Sequence, residues 1–447
     1  MGSAAESNTV GINTFNSNPD RATDVLVGGL NPEDRNLISG NTSTTQTTAT
    51  ASYPGPGWII QGNYIGVGAD GLTGIANSVI DGSGTLSIDN VPDVIVGGPQ
   101  PTAINVIGSS LGHGIAPHNS DNLLIENNYI GLGYDGTTIL GSGNTGIGTG
   151  ITLTSSHNVT IKNNRVAGWD QGGMDINSDN SDLSIENNII HDNEANGIEI
   201  SASENIQVVG NTIYNNQDVS ISVFGMSLFG IVTDDVSITG NKVGLDINGT
   251  PTPNNPVGIN VFGDPTNVII GGTSPADANH IASSTGSGIT TMGFDVPAMS
   301  LSGSPQKVSI LGNSIYDTSP ASDPSTGAGL GIDLMVGIET DSIPDGIPNT
   351  YTSSGPTPND PTDSDTGPNN YINFPTLNSV TQDGTTATIN FNLDAADSPT
   401  DQYRVEFFAN DQADPSGYGE GQTFLGFATV SNGITNKPAS RFQTTST

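Results

Sequence analysis

The feature that most constrains this chain is a repeat that keeps its phase. A Gly-Ile or Gly-Met step recurs at Gly114, Gly150, Gly173 and Gly197, and an asparagine before a short aliphatic segment follows each one. Those asparagines are Asn128, Asn164, Asn188 and Asn211, spaced by 36, 24 and 23 residues. A steady period of this size describes stacked units, each burying its apolar side against the next, and not one round core.

A single unit, Gly173 to Ile189, shows the local logic. Met174 and Ile176 alternate with Asp175 and Asn177, which is the period of a strand. Ser178-Asp179-Asn180 is a turn, Leu183 and Ile185 alternate again, and Asn187-Asn188 turns the chain into a third short strand at Ile189. Three short strands and three turns per unit predict one coil of a parallel β-helix. The asparagines suit it twice over. They tolerate the positive φ of a tight turn, and their amides hydrogen-bond up and down a stack spaced by about 4.8 Å. The expected ladder is Asn63, Asn128, Asn164, Asn188, Asn211, Asn241 and Asn313.

Two further units recur. Gly-Gly followed seven residues later by Asn occurs at Gly28-Gly29 with Asn36, Gly97-Gly98 with Asn105, and Gly271-Gly272 with Asn279. Asn-Tyr-Ile-Gly with a following turn occurs from Asn63 to Gly71 and from Asn128 to Gly136, with a looser copy from Asn241 to Gly249. The Thr-rich stretch from Thr42 to Pro56 and the segment from Thr318 to Gly327 are expected to loop out.

Composition agrees with a thin core. Hydrophobic residues are 33% of the 447, while 59 residues are Gly, which fills no core. The formal net charge is -36, from 45 acidic and 9 basic residues, so nucleic acid and anionic membrane surfaces are repelled and divalent cations are natural counterions. With no cysteine, disulfides, zinc thiolates and thiol catalysis are excluded. No apolar stretch is long enough to span a membrane. The start, MGSAAESN, reads as an expression leader.

The units VGG…RNLISGN (27–41), GNYIG…DG (62–71) and LGNSIYD…GLGIDL (311–334) resemble a widespread group of bacterial secreted right-handed parallel β-helix repeat proteins. The Asp/Asn/Pro-rich run from Pro358 to Asn369, then Asn373-Phe374-Pro375, and Gly417 to Gly426 resemble the tail usual in that group. The resemblance implies an all-β fold, a right-handed solenoid, and an extracellular or cell-surface setting in surface or adhesin-like polypeptides. The expected organisation is a leader or N-terminal cap over residues 1–19, the β-helix over 20–375, and an antiparallel β fragment over 376–447. That fragment reads either as a truncated Ig-like sandwich or as a cap on the open end of the solenoid. Its strands are expected at Thr386 to Leu393, Tyr403 to Ala409 and Thr423 to Val430, with Ser431 to Thr447 patternless.

Chemistry is sought on the outward positions. The x of each Gly-Ile-x-Ile strand points out, giving the column Ala116, Thr152, Asp175, Glu199, Val232, Asn260, Thr290 and Asp333. Asp175 and Glu199 then stack on consecutive coils about 5 Å apart. Lys162, Arg165 and His191 lie nearby in sequence. Two carboxylates so placed can act as acid and nucleophile in retaining glycoside cleavage, which needs about 5–5.5 Å. Alternatively a carboxylate-bound Ca2+ neutralises a uronate while a basic residue abstracts a proton. The segment from Met174 to Asp179, with His191, is similar to β-helical alginate epimerases. The competing reading is a solvated, Ca2+-bridged surface.

Gly112-His113-Gly114 resembles a short motif of β-helical polygalacturonases; standing apart from the rest of that signature, His113 is expected to serve as a turn residue. A calcium loop is expected where Asp363-x-Asp365-x-Gly367 alternates acidic side chains, with Asn359, Asp360, Asn369 and Asp333 as further ligands. Three functions follow: a non-enzymatic module displaying a carbohydrate- or cell-facing surface, an enzyme acting on acidic polysaccharide, or a self-assembling filament subunit.

Overall fold

The computed structural model describes residues 12–13, 23–43, 49–52, 56–79, 84–141, 148–252, 256–297, 301–319, 329–338, 350–351, 356–361, 363, 365–384, 386–394, 402–414, 417–431 and 437–443. Most of the expected leader, much of the Thr42 to Pro56 stretch and nearly all of the Thr318 to Gly327 segment lie outside these residues. The chain forms two compact units, Met1–Asn255 and Pro256–Thr447.

In the first unit every coil contributes one strand to each of three parallel sheets. Sheet A contains Gly84–Asp89, His113–His118, Ile151–Thr154, Met174–Asn177, Ile198–Ser201 and Ile221–Gly225. Sheet B contains Leu26–Gly28, Ile59–Gln61, Ile95–Gly97, Leu124–Glu126, His157–Lys162, Asn180–Glu186, Ser203–Val209 and Asp234–Thr239. Sheet C contains Leu37–Ile38, Tyr64–Ile65, Val106–Ile107, Tyr129–Ile130, Arg165–Ala167, Ile189–His191, Thr212–Tyr214 and Lys242–Val243. Successive coils stack in register, so inward aliphatics form columns. Ile115, Ile151, Met174, Ile198 and Ile221 are one column, all buried.

The turn from sheet B to sheet C explains the Asn-Asn dipeptides. Asn127, Asn163 and Asn187 adopt left-handed φ of 58°, 56° and 53°, and the next asparagine turns inward. Gly takes the first position at Gly62, Gly210 and Gly240. The inward amides form one ladder. Asn128 Nδ2 donates to Asn164 Oδ1 at 3.0 Å, Asn164 to Asn188 at 3.0 Å, Asn188 to Asn211 at 3.0 Å and Asn211 to Asn241 at 3.0 Å. Each oxygen also takes the backbone N–H of the asparagine before it, as Asn188 Oδ1 does from Asn164 N at 2.9 Å. Asn36 and Asn105, from the Gly-Gly unit, belong to the same ladder: Asn36 donates to Asn63, Asn63 to Asn105 and Asn105 to Asn128. Two motifs that look separate in sequence therefore fill one structural position. The first glycine of the pair makes room for it. A Cβ on Gly97, whose φ is +90°, would meet Glu126 O at 1.9 Å and Asn128 Oδ1 at 2.8 Å.

The Asn-Tyr-Ile-Gly units leave sheet C as hairpins. Residues 66–75 and 131–141 are bridged at Val67–Gly74 and Leu132–Ile139, and 244–252 at Leu245–Pro251. An aspartate closes each tip. Asp135 accepts the N–H groups of Thr137 and Thr138, and Asp246 those of Asn248 and Thr250.

The second unit repeats the coil pattern, with Ile259–Gly263, Ile289–Val296 and Ile332–Ile338 in parallel register and Asn279 donating to Asn313 at 2.8 Å. Beyond it lie two antiparallel sheets. One is Thr376–Asp383, Thr386–Asn392 and Lys437–Gln443; the other pairs Gln402–Ala409 with Thr423–Ser431. The strand Lys437–Gln443 corrects the patternless reading of the last residues, and Thr376–Asp383 is a strand that the sequence reading did not anticipate. Lys437–Gln443 is so polar that its pairing with Thr386–Asn392 defines it, and its own pattern does not. Ile389, Phe391, Leu393, Val405, Phe407 and Val430 form the core of this region.

These sheets cap the last coil. Ile315 and Gly421 exchange backbone hydrogen bonds at 3.0 and 3.1 Å, Glu420 accepts the N–H groups of Asp317 and Thr318, and Glu406 accepts that of Gly312. Sheet edges that would otherwise face water are thereby satisfied.

Candidate functional site

The outward face of sheet A carries the predicted carboxylate pair. Thr152, Asp175, Glu199 and Ser222 stand directly opposite one another on four successive strands. Ser222 takes the place in this column predicted for Val232. Gly230-Ile231-Val232 imitates the strand motif but belongs to a turn, in which Gly230 is left-handed, Ile231 bridges back to Met226 and Val232 is 60% exposed. In the second unit Asn260, Thr290 and Asp333 are in register as predicted.

Each carboxylate is held by an amide from its own coil. Asn177 Nδ2 donates to Asp175 Oδ2 at 2.6 Å, and Asn196 Nδ2 donates to Glu199 Oε2 at 2.8 Å. Burial pushes the Asp175 carboxyl above its ordinary value, against the pull of the Asn177 amide and of His113. Burial also pushes Glu199 up; the Asn196 amide opposes this, and the negative charges of Asp175 and Asp218 add to it.

His113, expected to be a turn residue, lies on the same sheet, two strands from Asp175. It opens the sheet A strand His113–His118, and its Nδ1 accepts the Thr149 N–H at 3.2 Å. A nitrogen that accepts cannot carry the proton, so the neutral ring is protonated on Nε2. Burial lowers the imidazole pKa, and the Asp175 carboxylate raises it. The mutual influence of His113 and Asp175 spans coils of 36 and 23 residues, a proximity that only the stacking register reveals.

The basic residues predicted to join the pair do not do so. Lys162 is on sheet B, with its Nζ 3.6 Å from Glu126 Oε1. Arg165 is on sheet C, donating to Gly136 O at 3.2 Å and lying 5.7 Å from the centre of the Tyr129 ring. His191 is also on sheet C, bonded to Asp192 at 2.6 Å and stacked on Tyr214. A three-residue strand followed by a turn carries neighbours in sequence onto different sheets, so closeness along the chain does not bring these side chains to Asp175 and Glu199. Trp58 and Trp169 are both buried, with 2% and 0% exposure, and offer no platform to a ligand.

In the oxygen-rich loop several of the side chains expected to bind calcium hold backbone N–H groups. Asn359 Oδ1 accepts the Phe374 N–H, Asn369 Oδ1 that of Val308, and Asp363 Oδ1 that of Asn373. Asp360 receives Asn373 Oδ1 on its own N–H, and Asp365 is half-buried on the same loop. Asp333 is buried on Ile332–Ile338, the strand against which the turn Pro368–Tyr371 packs. Among the described residues, no group of three or more His, Cys, Asp or Glu side chains is arranged to hold a metal ion. The asparagines that were expected to be ligands instead clasp backbone.

Comparison with known proteins bears on the fold. Residues 65–243 match the family described as right handed beta helix region. No curated protein matches the chain. Among solved structures, the A-module of mannuronan C-5 epimerase AlgE4 from Azotobacter vinelandii is similar at 16% identity, covering 67% of this chain and 80% of its own, with a TM-score of 0.43. The Dettilon tailspike protein is similar at 13% identity, covering 88% and 83%, with a TM-score of 0.36. PfbA, a surface adhesin of Streptococcus pneumoniae, is similar at 13% identity, covering 74% and 79%, with a TM-score of 0.33. No helix among the described residues is long and apolar enough to cross a membrane. The stacked parallel sheets, the continuous asparagine ladder and the match over residues 65–243 identify the fold as a right-handed parallel β-helix.

Proposed function

We propose that this chain is a non-enzymatic display module of an extracellular or cell-surface protein, with the outward face of sheet A turned toward glycans or other surface molecules. The observation that carries this reading is the separation of charge. Proton abstraction from an acidic sugar needs a carboxylate or cation site and a basic group at one place. Lys162, Arg165 and His191 instead lie on sheets B and C, each engaged with its own neighbours, and His113, on sheet A itself, has its Nδ1 taken by the Thr149 N–H and its Nε2 protonated, so its neutral ring has no free nitrogen to act as a base. What remains on sheet A is a row of part-exposed Thr152, Asp175 and Glu199 oxygens with partnered amides, which suits hydroxyl-rich ligands. The test is a glycan array probed with and without Ca2+, followed by product analysis of every glycan that binds. Binding without turnover is expected; shortened or epimerised product would refute the display reading.

One observation favours an enzyme acting on polysaccharide as the second reading. Asp175 and Glu199 have raised carboxyl groups, and His113 lies close enough to feel the Asp175 charge. Perturbed carboxylates beside an imidazole are what acid–base chemistry uses. If product forms, Asp175→Asn and Glu199→Gln are expected to abolish it while leaving the coil intact.

A further inference from the structure

We infer that the outward face of sheet C between residues 131–141 and 244–252 is a binding groove for a neutral saccharide, with Tyr214 as its stacking platform and Arg165 and Asp192 as its polar flanks. It is separate from the sheet A row and does not depend on the role given to that row.

The topology builds the groove. Hairpins leave sheet C after Tyr129–Ile130 and after Lys242–Val243. The three strands between them, Arg165–Ala167, Ile189–His191 and Thr212–Tyr214, end in tight turns at Gly168, Asp192 and Asn215, with φ of 76°, 54° and 55°. Two projecting walls therefore bracket a floor of three strands, the wall-bearing strands standing four strand spacings apart, about 19 Å. Val166, Ile190 and Ile213 point inward and are fully buried, which turns Arg165, His191 and Tyr214 outward.

The first wall touches the floor, and the charge of the second is felt there. Arg165 Nη1 donates to Gly136 O in the first hairpin at 3.2 Å. At the other side, burial and the charges of Asp192 and Asp246 push the Tyr214 phenol up, while Arg165 pulls it down. Groups from the floor and the second hairpin, together with an arginine anchored to the first, thus act on one hydroxyl. The rings of His191 and Tyr214 stack at 4.9 Å with 3° between their planes. His191 backs one face of Tyr214. On the other side the register that pairs Thr212 with Lys242 and Ile213 with Val243 brings Gly244 level with Tyr214, and glycine has no side chain to cover the ring.

The chemistry selects the ligand class. A pyranose has an apolar C–H face for an aromatic ring and a rim of hydroxyls for donors and acceptors. The guanidinium supplies donors, and the carboxylates of Asp192 and Asp246 supply acceptors. Asp135, Asp192 and Asp246 outnumber Arg165 and Lys242 here, and the chain carries a net charge of -36, so an anionic sugar is repelled.

The experiment uses the full chain and a panel of neutral hexasaccharides (gluco-, manno-, galacto- and xylo-series), with affinities measured by calorimetry and contacts by saturation-transfer NMR. At least one hexasaccharide is expected to bind. Tyr214→Leu and Arg165→Gln should weaken it at least tenfold, Tyr214→Phe by less than threefold, and Lys162→Gln, on sheet B, not at all. Circular dichroism of each variant confirms the coil, and Tyr214→Phe keeps the test valid should Tyr214→Leu fail to fold. No binding across the panel, equal binding by Arg165→Gln, or binding lost only in Asp175→Asn would each overturn the inference. The last result would move the ligand to sheet A.

Discussion

Two columns of stacked polar side chains run along the first unit at the same spacing, and they behave in opposite ways. Inside, Asn128, Asn164, Asn188 and Asn211 are fully buried and every amide is partnered. On the outward face of sheet A, Asp175 and Glu199 stack just as directly; burial holds both carboxyls above their usual range, and the Asp175 charge pushes Glu199 up further. An amide is donor and acceptor at once, so repetition satisfies it. A carboxylate only accepts, so repetition sets like charges side by side. Identical geometry therefore stabilises the interior column and costs stability in the exterior one.

The largest test of this contrast is Asn188→Ala. It strands the Asn164 N–H and the Ile161 carbonyl in the core and removes one hydrogen bond each from the Asn164 and Asn211 amides, which keep their others. With each stranded group costing about 1–3 kcal/mol, urea unfolding should show a loss of roughly 3–5 kcal/mol. A loss below about 1 kcal/mol would mean that the ladder merely fills space. Next comes the cap, where Glu420→Ala removes the acceptor for Asp317 N and Thr318 N. A loss of about 1.5–3 kcal/mol is expected, together with faster hydrogen exchange confined to the last coil.

The exterior column should respond in the opposite direction. Because the folded Asp175 and Glu199 carboxyls lie above their unfolded values, the native state holds more protons than the unfolded one. Their contribution is fully present below the unfolded value and is lost as pH rises through the raised one. Asp175→Asn is therefore expected to increase the melting temperature at pH 7 by a small amount, with the gain fading near pH 4. A decrease at pH 7 would show that the Asn177 contact outweighs the burial. The smallest effect belongs to Asp135, whose carboxyl is lowered to about 2 by the Thr137 and Thr138 hydrogen bonds. Asp135→Ala should speed exchange at those two amides and leave global unfolding unchanged, and the wild-type hairpin should loosen only as pH falls toward 2.

The sequence made some of this legible and hid the rest for physical reasons. The coil was readable because φ > 0 and a buried amide together demand Asn or Gly at fixed phase, as Asn163-Asn164 and Gly210-Asn211 show. His113 was hidden because its approach to Asp175 passes through a 36-residue coil whose length carries no pattern. Val232 misled because a Gly-Ile-x string costs nothing to write into a turn, and only the register distinguishes it from Ser222. At Asp363 and Asn369 the sequence does not show that a backbone N–H is held by each side chain, because carboxylates and amides look alike in composition whether they face an ion or a backbone donor.

The ladder has a direction. From Asn36 to Asn211 each side-chain nitrogen gives one hydrogen to the next asparagine toward the C-terminus, and from Asn63 to Asn241 each oxygen receives from the N-terminal side. Any two neighbours meet through the same interface, so removing one whole coil rejoins matching halves, whereas removing part of one does not. Length in such a chain is thus a quantised trait, open to gain or loss by duplication in steps of one turn and closed to everything in between.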